Sequence, residues 1–287
     1  MNCAKYLLLC YGVFLLSAAG NLLAAPIDDF STKTQSVSPA PGVDMPELVA
    51  ARTAYAKGRI DEAEAQLEFA KSKAPNLPPV QLMMARLHLA NNKVAAGKAL
   101  LEKVAIEEAD HPEVYLLFGN LALNEGRNTD AMLHFEKAIH LSPPGDWTNA
   151  QKIALFREGF AGLAAVSEKR ADWFRAQVAL KQLTKTMPTD AKIRDRLGAA
   201  LFMLGREDEA LEQFQTAARL DSNMNPAEVS MAVMYVRDQN TSAAAKKFAE
   251  AARRYPMDGR VHYEAAGMYL LLDQAEHAKR HADKVAE

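Results

Sequence analysis

Apolar positions along this 287-residue chain recur in helical steps, and they recur again at a longer interval. Ala63, Gly97 and Ala131 stand 34 residues apart; Ala176, Ala210, Ala244 and Ala278 continue the series after one step of 45. With these residues set as position 20, units begin at Asp44, Pro78, Pro112, Arg157, Ala191, Asn225 and Gly259. Columns that did not set the register agree with it. Position 8 is always small: Ala51, Ala85, Gly119, Ala164, Gly198, Ala232 and Ala266. Position 24 is bulky in six units, from Leu67, Leu101 and Phe135 to Leu180, Phe214 and Phe248. Gly58, Gly126 and Gly205 hold position 15, and Pro75, Pro143, Pro188 and Pro256 hold position 32. The pattern predicts a helix ending at the glycine and a second helix ending before the proline. Small residues at 8 and 20 let the two helices approach closely, and the bulky side chain at 24 fills the space between units. The expected fold is all-α, built from antiparallel helix pairs.

The first 43 residues follow another rule. From Tyr6 to Ile27 no residue is charged, Lys5 precedes the run, and small residues follow at Ser17, Ala18, Ala19 and Gly20 and again at Ala24 and Ala25. Residues 1–25 therefore read as a secretory signal peptide, with an uncleaved membrane anchor as the alternative. A lipoprotein reading fits less well, because Leu9 and not a small residue precedes Cys10. Residues 26–43, polar and proline-spaced, read as a flexible tether. The rest of the chain is expected to be exported, periplasmic or secreted, with membrane association only through the N-terminal segment.

The 34-residue helix–turn–helix unit resembles the tetratricopeptide repeat over residues 44–287. The tryptophan common at position 4 of that family is replaced here by Tyr115, Phe160 and several polar residues. The resemblance implies a right-handed superhelical solenoid whose first helices line a concave groove that binds a peptide or partner helix. The groove positions of the first three repeats give Leu48, Val49, Arg52 and Tyr55, then Leu82, Met83, Arg86 and Leu89, then Leu116, Leu117, Asn120 and Leu123. This is an apolar floor with donors at Arg52, Arg86 and Asn120, suited to peptide carbonyls or carboxylates. The same strip could instead close on the tether or on a second copy.

One irregularity is the 11-residue insertion Asp146 to Phe156, which adds almost whole helical turns to the first helix of the fourth repeat. Asp146 is its expected cap. Trp147, Ile153, Phe156 and Phe160 read as packing on the preceding repeat, with a protruding apolar finger as the alternative.

Composition and charge remove other functions. Basic and acidic residues nearly cancel, 34 against 36, and no segment forms a basic stripe, so nucleic acid is not an expected partner. The two cysteines, Cys3 and Cys10, lie at the N-terminus, away from any site in the array. None of the phosphate-binding, dinucleotide, nucleophile-elbow or zinc-protease signatures occurs. The expected protein is non-enzymatic, without cofactor or metal. Asp273, His277 and His281 share one helix at spacings too stretched to favour a metal, and Asn240-Thr241-Ser242 is a short glycosylation pattern. Of the five residues in the family's carboxylate clamp, Asn120, Lys192 and Arg196 are present while Leu116 and Gly162 depart; Lys192 and Arg196 remain possible anion contacts. The reading is an interaction scaffold in an exported or membrane-associated complex. Alternatives are a self-associating subunit, using the apolar groove or the shortened last repeat, and a non-catalytic accessory to an enzyme such as a glycosyltransferase.

Overall fold

The computed structural model describes residues 45–271 and 274–285; the signal, anchor and tether segments and Asp273 lie outside them. The described residues fall into two compact units divided between Thr186 and Met187. Among them, all regular structure is helical.

The first unit contains four helix pairs. These are α1 (Pro46–Ala56) with α2 (Ile60–Lys73), and α3 (Val80–Ala90) with α4 (Val94–Glu107). They are followed by α5 (Pro112–Asn124) with α6 (Asn128–His140), and α7 (Asn149–Lys169) with α8 (Trp173–Thr186). The second unit holds α9 (Ala191–Met203) with α10 (Glu207–Leu220), α11 (Ala227–Arg237) with α12 (Thr241–Arg254), and α13 (Gly259–Leu271) with α14 (Ala275–Val285). Within each unit every helix packs most closely on its hairpin partner and then on the next pair in sequence, which makes an all-α stack of antiparallel helix pairs.

The small columns do what their size predicts. Ala51, Ala85, Ala164 and Ala232 at position 8, and Ala63, Ala131, Ala176, Ala210 and Ala244 at position 20, are fully buried. Where position 24 is an enlarged ring, position 8 shrinks in two of three repeats. A Cβ on Gly119 would stand 2.7 Å from the Phe135 ring, and one on Gly198 would stand 2.7 Å from the Phe214 ring. Phe135 is also met from the next pair, where a Gly162 Cβ would lie 2.4 Å from it. Such contacts leave no room for a methyl group.

The turn inside each of the first six hairpins has one backbone form. Gly58, Asn92, Gly126, Ala171, Gly205 and Gln239, all at position 15, have φ between 55° and 75°. In each the following amide closes a long bond onto the first helix, as in Arg59 N to Ala54 O at 2.9 Å and Asp172 N to Ser167 O at 2.8 Å. Glycine marks this turn in three repeats; the other three adopt it with a side chain present.

Polar residues at position 4 are tied to the second helix of the same repeat. Buried Glu47 pairs with Lys73, and buried Glu228 accepts Arg254 Nη1 at 2.6 Å. Tyr115 Oη accepts Lys137 Nζ at 2.7 Å and donates to the Ala109 carbonyl at 2.6 Å. These ties bridge the hairpin where the family's tryptophan would pack. Because Lys73 and Arg254 are largely exposed, solvent screens each pair and its contribution to stability is small.

The insertion differs from expectation at its start. The cap of α7 is Thr148, not Asp146: Thr148 Oγ1 accepts Gln151 N, and Gln151 Oε1 accepts Thr148 N, a reciprocal capping box. Trp147 is 6% exposed and meets His111 edge-on at 5.8 Å, so it packs on the preceding repeat. Ile153 is exposed, and Phe156 and Phe160, half-buried, stack on each other.

Since an L-residue in the left-handed region carries a steric cost of about 1 kcal/mol or more, Ala171→Gly and Gln239→Gly are expected to stabilise the chain. Thermal unfolding should rise by roughly 2–4 °C per kcal/mol. A fall in Tm for both variants would contradict the turn assignment.

Candidate functional site

In the first unit the expected groove floor is mostly core. Leu82 and Leu116 are fully buried, and Leu48 and Tyr55 nearly so. They sit where successive hairpins meet: Leu82 packs with Leu101, Val104 and Val114, and Leu116 with Phe135, Trp147 and Leu155. Leu89 and Leu123 are half-buried against the same clusters. Tyr55 Oη lies 2.8 Å from His88 Nδ1, so its polar end is occupied as well. Most of these side chains lie against one another, which leaves little of the expected apolar floor at the surface.

The donor line is also broken. Arg86 Nη2 stands 2.7 Å from Glu113 Oε2 with both groups largely shielded, while Arg52 is exposed and Asn120 half-buried. The lengthened α7 adds a third charge to this place. Its first turn reaches back to the α2–α3 loop, where Gln151 Nε2 donates to the Asn76 carbonyl at 3.2 Å, and it brings Glu158 close to Arg86 and Glu113. Burial pushes the Glu158 carboxyl up to about 7; Glu113 adds to the rise, while Arg86 and Arg157 oppose it. Burial likewise holds the His111 imidazole below its usual value.

The second unit carries an open cavity of about 350 Å³. It lies among the first helices of three successive repeats, with Asp195 and Ala199 from α9, Ser230, Val233 and Arg237 from α11, and Glu264 from α13. Phe214 of α10 closes one wall, and residues 223–225 of the α10–α11 loop form another. That loop is held from below: Arg260 Nη1 donates to the carbonyls of Ser222 (2.6 Å) and Met224 (2.8 Å) while Nη2 and Nε grip the Asp258 carboxylate. Asp195 accepts the Ser230 hydroxyl at 3.3 Å. Burial raises its carboxyl to about 6, against the opposing effects of Ser230 and the Arg237 guanidinium. Burial raises Glu264 too, partly offset by a hydrogen bond from Asn225.

Lys192 and Arg196 do not line this cavity; Lys192 is exposed and Arg196 half-buried. The cavity-lining residues were passed over in the sequence, although a signal was present. Repeat positions 5 and 6 are apolar in the first three repeats; in the last three, position 5 turns polar at Asp195, and position 6 at Arg196, Ser230 and Glu264.

The C-terminal histidines are engaged with each other. His262 Nε2 lies 2.9 Å from the Pro256 carbonyl, which can only accept, so Nε2 carries a proton, while its Nδ1 lies 2.9 Å from His281 Nδ1. Tyr269 packs on both His277 and His281. Among the described residues no three His, Cys, Asp or Glu side chains gather as metal ligands. Asn240 caps α12, its side chain accepting Ala243 N at 3.1 Å. No described helix is long and apolar enough to cross a membrane.

Two models of the tetratricopeptide repeat match the chain, over residues 54–121 and 112–144. Among curated proteins none matches. Similar solved structures include MamA, 17% identical, covering 60% of this chain and 94% of that one with a TM-score of 0.46. YrrB, described as a tetratricopeptide-repeat protein with an unusual peptide-binding site, is 19% identical over 64% of this chain and 90% of its own, with a TM-score of 0.41. PilW, described as a widely conserved type IV pilus biogenesis factor, is 16% identical over 75% and 96%, with a TM-score of 0.46.

The raised Glu158 carboxyl has a stability consequence of fixed sign. Between about 4.5 and about 7 the folded chain holds a proton that the unfolded chain has released, so this group's contribution to stability falls as pH rises through that window. Glu158→Gln, neutral throughout, is expected to raise stability by about 1–3 kcal/mol at pH 8 and to leave it unchanged at pH 4. Equal effects at both pH values in thermal unfolding would contradict the burial of that charge.

Proposed function

We propose that this chain, which tetratricopeptide-repeat models match over residues 54–144, is a non-enzymatic protein-interaction scaffold that takes a segment of a partner polypeptide in the cavity of its second unit. The observation that carries the reading is the cavity among α9, α11 and α13, where first helices of three repeats expose both polar groups and apolar wall. Recognition sites of this kind combine a mostly apolar concavity with a few fixed polar groups. In the first unit the corresponding strip is buried in leucine contacts and an Arg86–Glu113 pair, which leaves less surface for a ligand. The uncharged run from Tyr6 to Ile27 supports placing this scaffold in an exported or membrane-associated complex.

Selection of a random dodecapeptide display library on the full chain tests the proposal. Enriched peptides, labelled and titrated by fluorescence anisotropy, are expected to bind Val233→Trp about tenfold or more weakly, since the indole would fill the cavity. The exposed Leu133→Ala change should leave binding intact. No enrichment, or equal binding to parent and Val233→Trp, would overturn the assignment.

A further inference from the structure

The seventh hairpin, α13 with α14, is held together differently from the six before it. In those, the second helix carries a bulky, buried residue at position 24, from Leu67 to Phe248. In α14 position 24 is Ala282 and position 27 is Val285, and both are exposed, so Ala278 is the only buried residue of the helix. Burial of one methyl group removes little apolar surface from water. A pair of imidazoles supplements it. His262, buried at position 4 of α13, meets half-buried His281 of α14 through their Nδ1 atoms, 2.9 Å apart. The ring centroids are 5.1 Å apart, so the rings meet nearly end to end. Tyr269 of α13 packs on His281 and on His277.

This is the position-4 tie of the other hairpins with one chemical difference. Glu47 and Glu228 meet the cations Lys73 and Arg254 there, whereas here both partners are imidazoles, whose charge changes within about pH 5–8. His262 Nε2 donates to the Pro256 carbonyl, so Nδ1 of the neutral ring can only accept and His281 Nδ1 donates to it. The gap between the two nitrogens holds one hydrogen and has no room for two. Burial holds the His281 imidazole below its usual value, and His262, Lys284, His277 and Arg280 add to the effect. The acids on the surrounding elements are engaged elsewhere: Glu228 of α11 with Arg254, Glu250 of α12 with Lys247, Glu264 of α13 with Asn225, and Asp258 with Arg260. Arg237 of α11 lines the cavity, and Glu276 and Asp283 of α14 are exposed.

We infer that the His262–His281 pair is a proton-operated latch, which docks α14 on α13 while one hydrogen lies between the rings and releases α14 when a second proton arrives. The sign follows from the surroundings. Docked His281 binds a proton less well than the free side chain, whose ordinary value is 6.5, so docking is fully favoured above that value and weakens as pH falls below it. Release separates the two charged rings and returns only Ala278 of α14 to water. On α13 it uncovers Tyr269 and the His262 ring. Val261, Ala265 and Met268 stay packed with Val229 and Phe248 of the sixth hairpin, so the stack stays folded when α14 leaves. Nothing in this device depends on what occupies the cavity.

Amide hydrogen exchange of the full chain tests the latch, with rates corrected for the intrinsic effect of pH and the amides of α12 as internal reference. Protection of α14 relative to α12 is expected to fall about tenfold or more between about pH 7.5 and about pH 5. His281→Asn keeps an amide donor near the place of Nδ1 and cannot take up a proton, so its α14 should stay protected at both pH values. His277→Asn, which leaves the pair intact, should behave as the parent does. Nitrogen NMR of the parent supplies a readout that needs no variant: coupling across the hydrogen bond between the two Nδ1 atoms at the higher pH, lost together with the protection. Should the asparagine fail to hold α14 at either pH, that coupling decides alone. Protection of α14 kept at the lower pH, an equal fall in His281→Asn, or no coupling between the nitrogens at the higher pH would each overturn the latch.

Discussion

The closeness of the two helices in each hairpin depends on what stands at position 8 and what faces it from position 24. A helix pair of this length cannot bury its apolar face alone, so the stack relies on ridges from one helix entering grooves of the next. Here the groove is a missing or minimal side chain. Ala85 facing Leu101 and Gly198 facing Phe214 are versions of one arrangement, with the small partner reduced when the large one is a ring. Phe135 extends the scheme, pressed between Gly119 of its own hairpin and Gly162 of the next. Phe248 opposite Ala232 departs from the volume trade, and nothing in the structure explains how the extra methyl is absorbed.

The same contacts position the candidate site. Phe214 is both the ring that rests on Gly198 and a wall of the cavity, so the spacing of α9 and α10 fixes the depth available to a ligand. The rim depends on a different device, the Arg260 side chain bonded to the carbonyls of Ser222 and Met224. A rigid wall and a tethered rim are the conditions under which two carboxylates can be held apart in poor hydration without collapsing the pocket. In the first unit the comparable acids are neutralised internally, where Arg86 answers Glu113, and only Glu158 is left with a strongly raised proton affinity.

Much of the fold was legible in the sequence because tight packing constrains volume at fixed intervals. Ala131 and Ala210 could be placed by phase alone, and they are buried as that phase requires. The turn was legible at Gly58, Gly126 and Gly205, whereas Asn92, Ala171 and Gln239 adopt the same left-handed backbone without the residue that advertises it. The site was less legible. Leu82 and Leu116 carry the right chemistry for a groove floor, but periodicity gives a helix face and not the depth at which a neighbouring hairpin covers it. Asp195, Ser230 and Glu264 interrupt two neighbouring apolar columns, a sign that polar groups converge, yet only their three-dimensional proximity makes a cavity. The cap of α7 was missed by two residues, because Asp146 and Thr148 are both good caps and Gln151 decides between them through its reciprocal bond.

A double-mutant cycle on Gly198 and Phe214, followed by chemical unfolding of the full chain, tests the governing contact directly. Gly198→Ala and Phe214→Leu should each destabilise, the first by crowding and the second by loss of buried volume. The double variant should recover part of the loss, with a coupling of about 1 kcal/mol or more. Effects that add to within about 0.3–0.5 kcal/mol would mean that the ring and the glycine do not set each other's position, and would contradict the packing on which both the stack and its cavity rest.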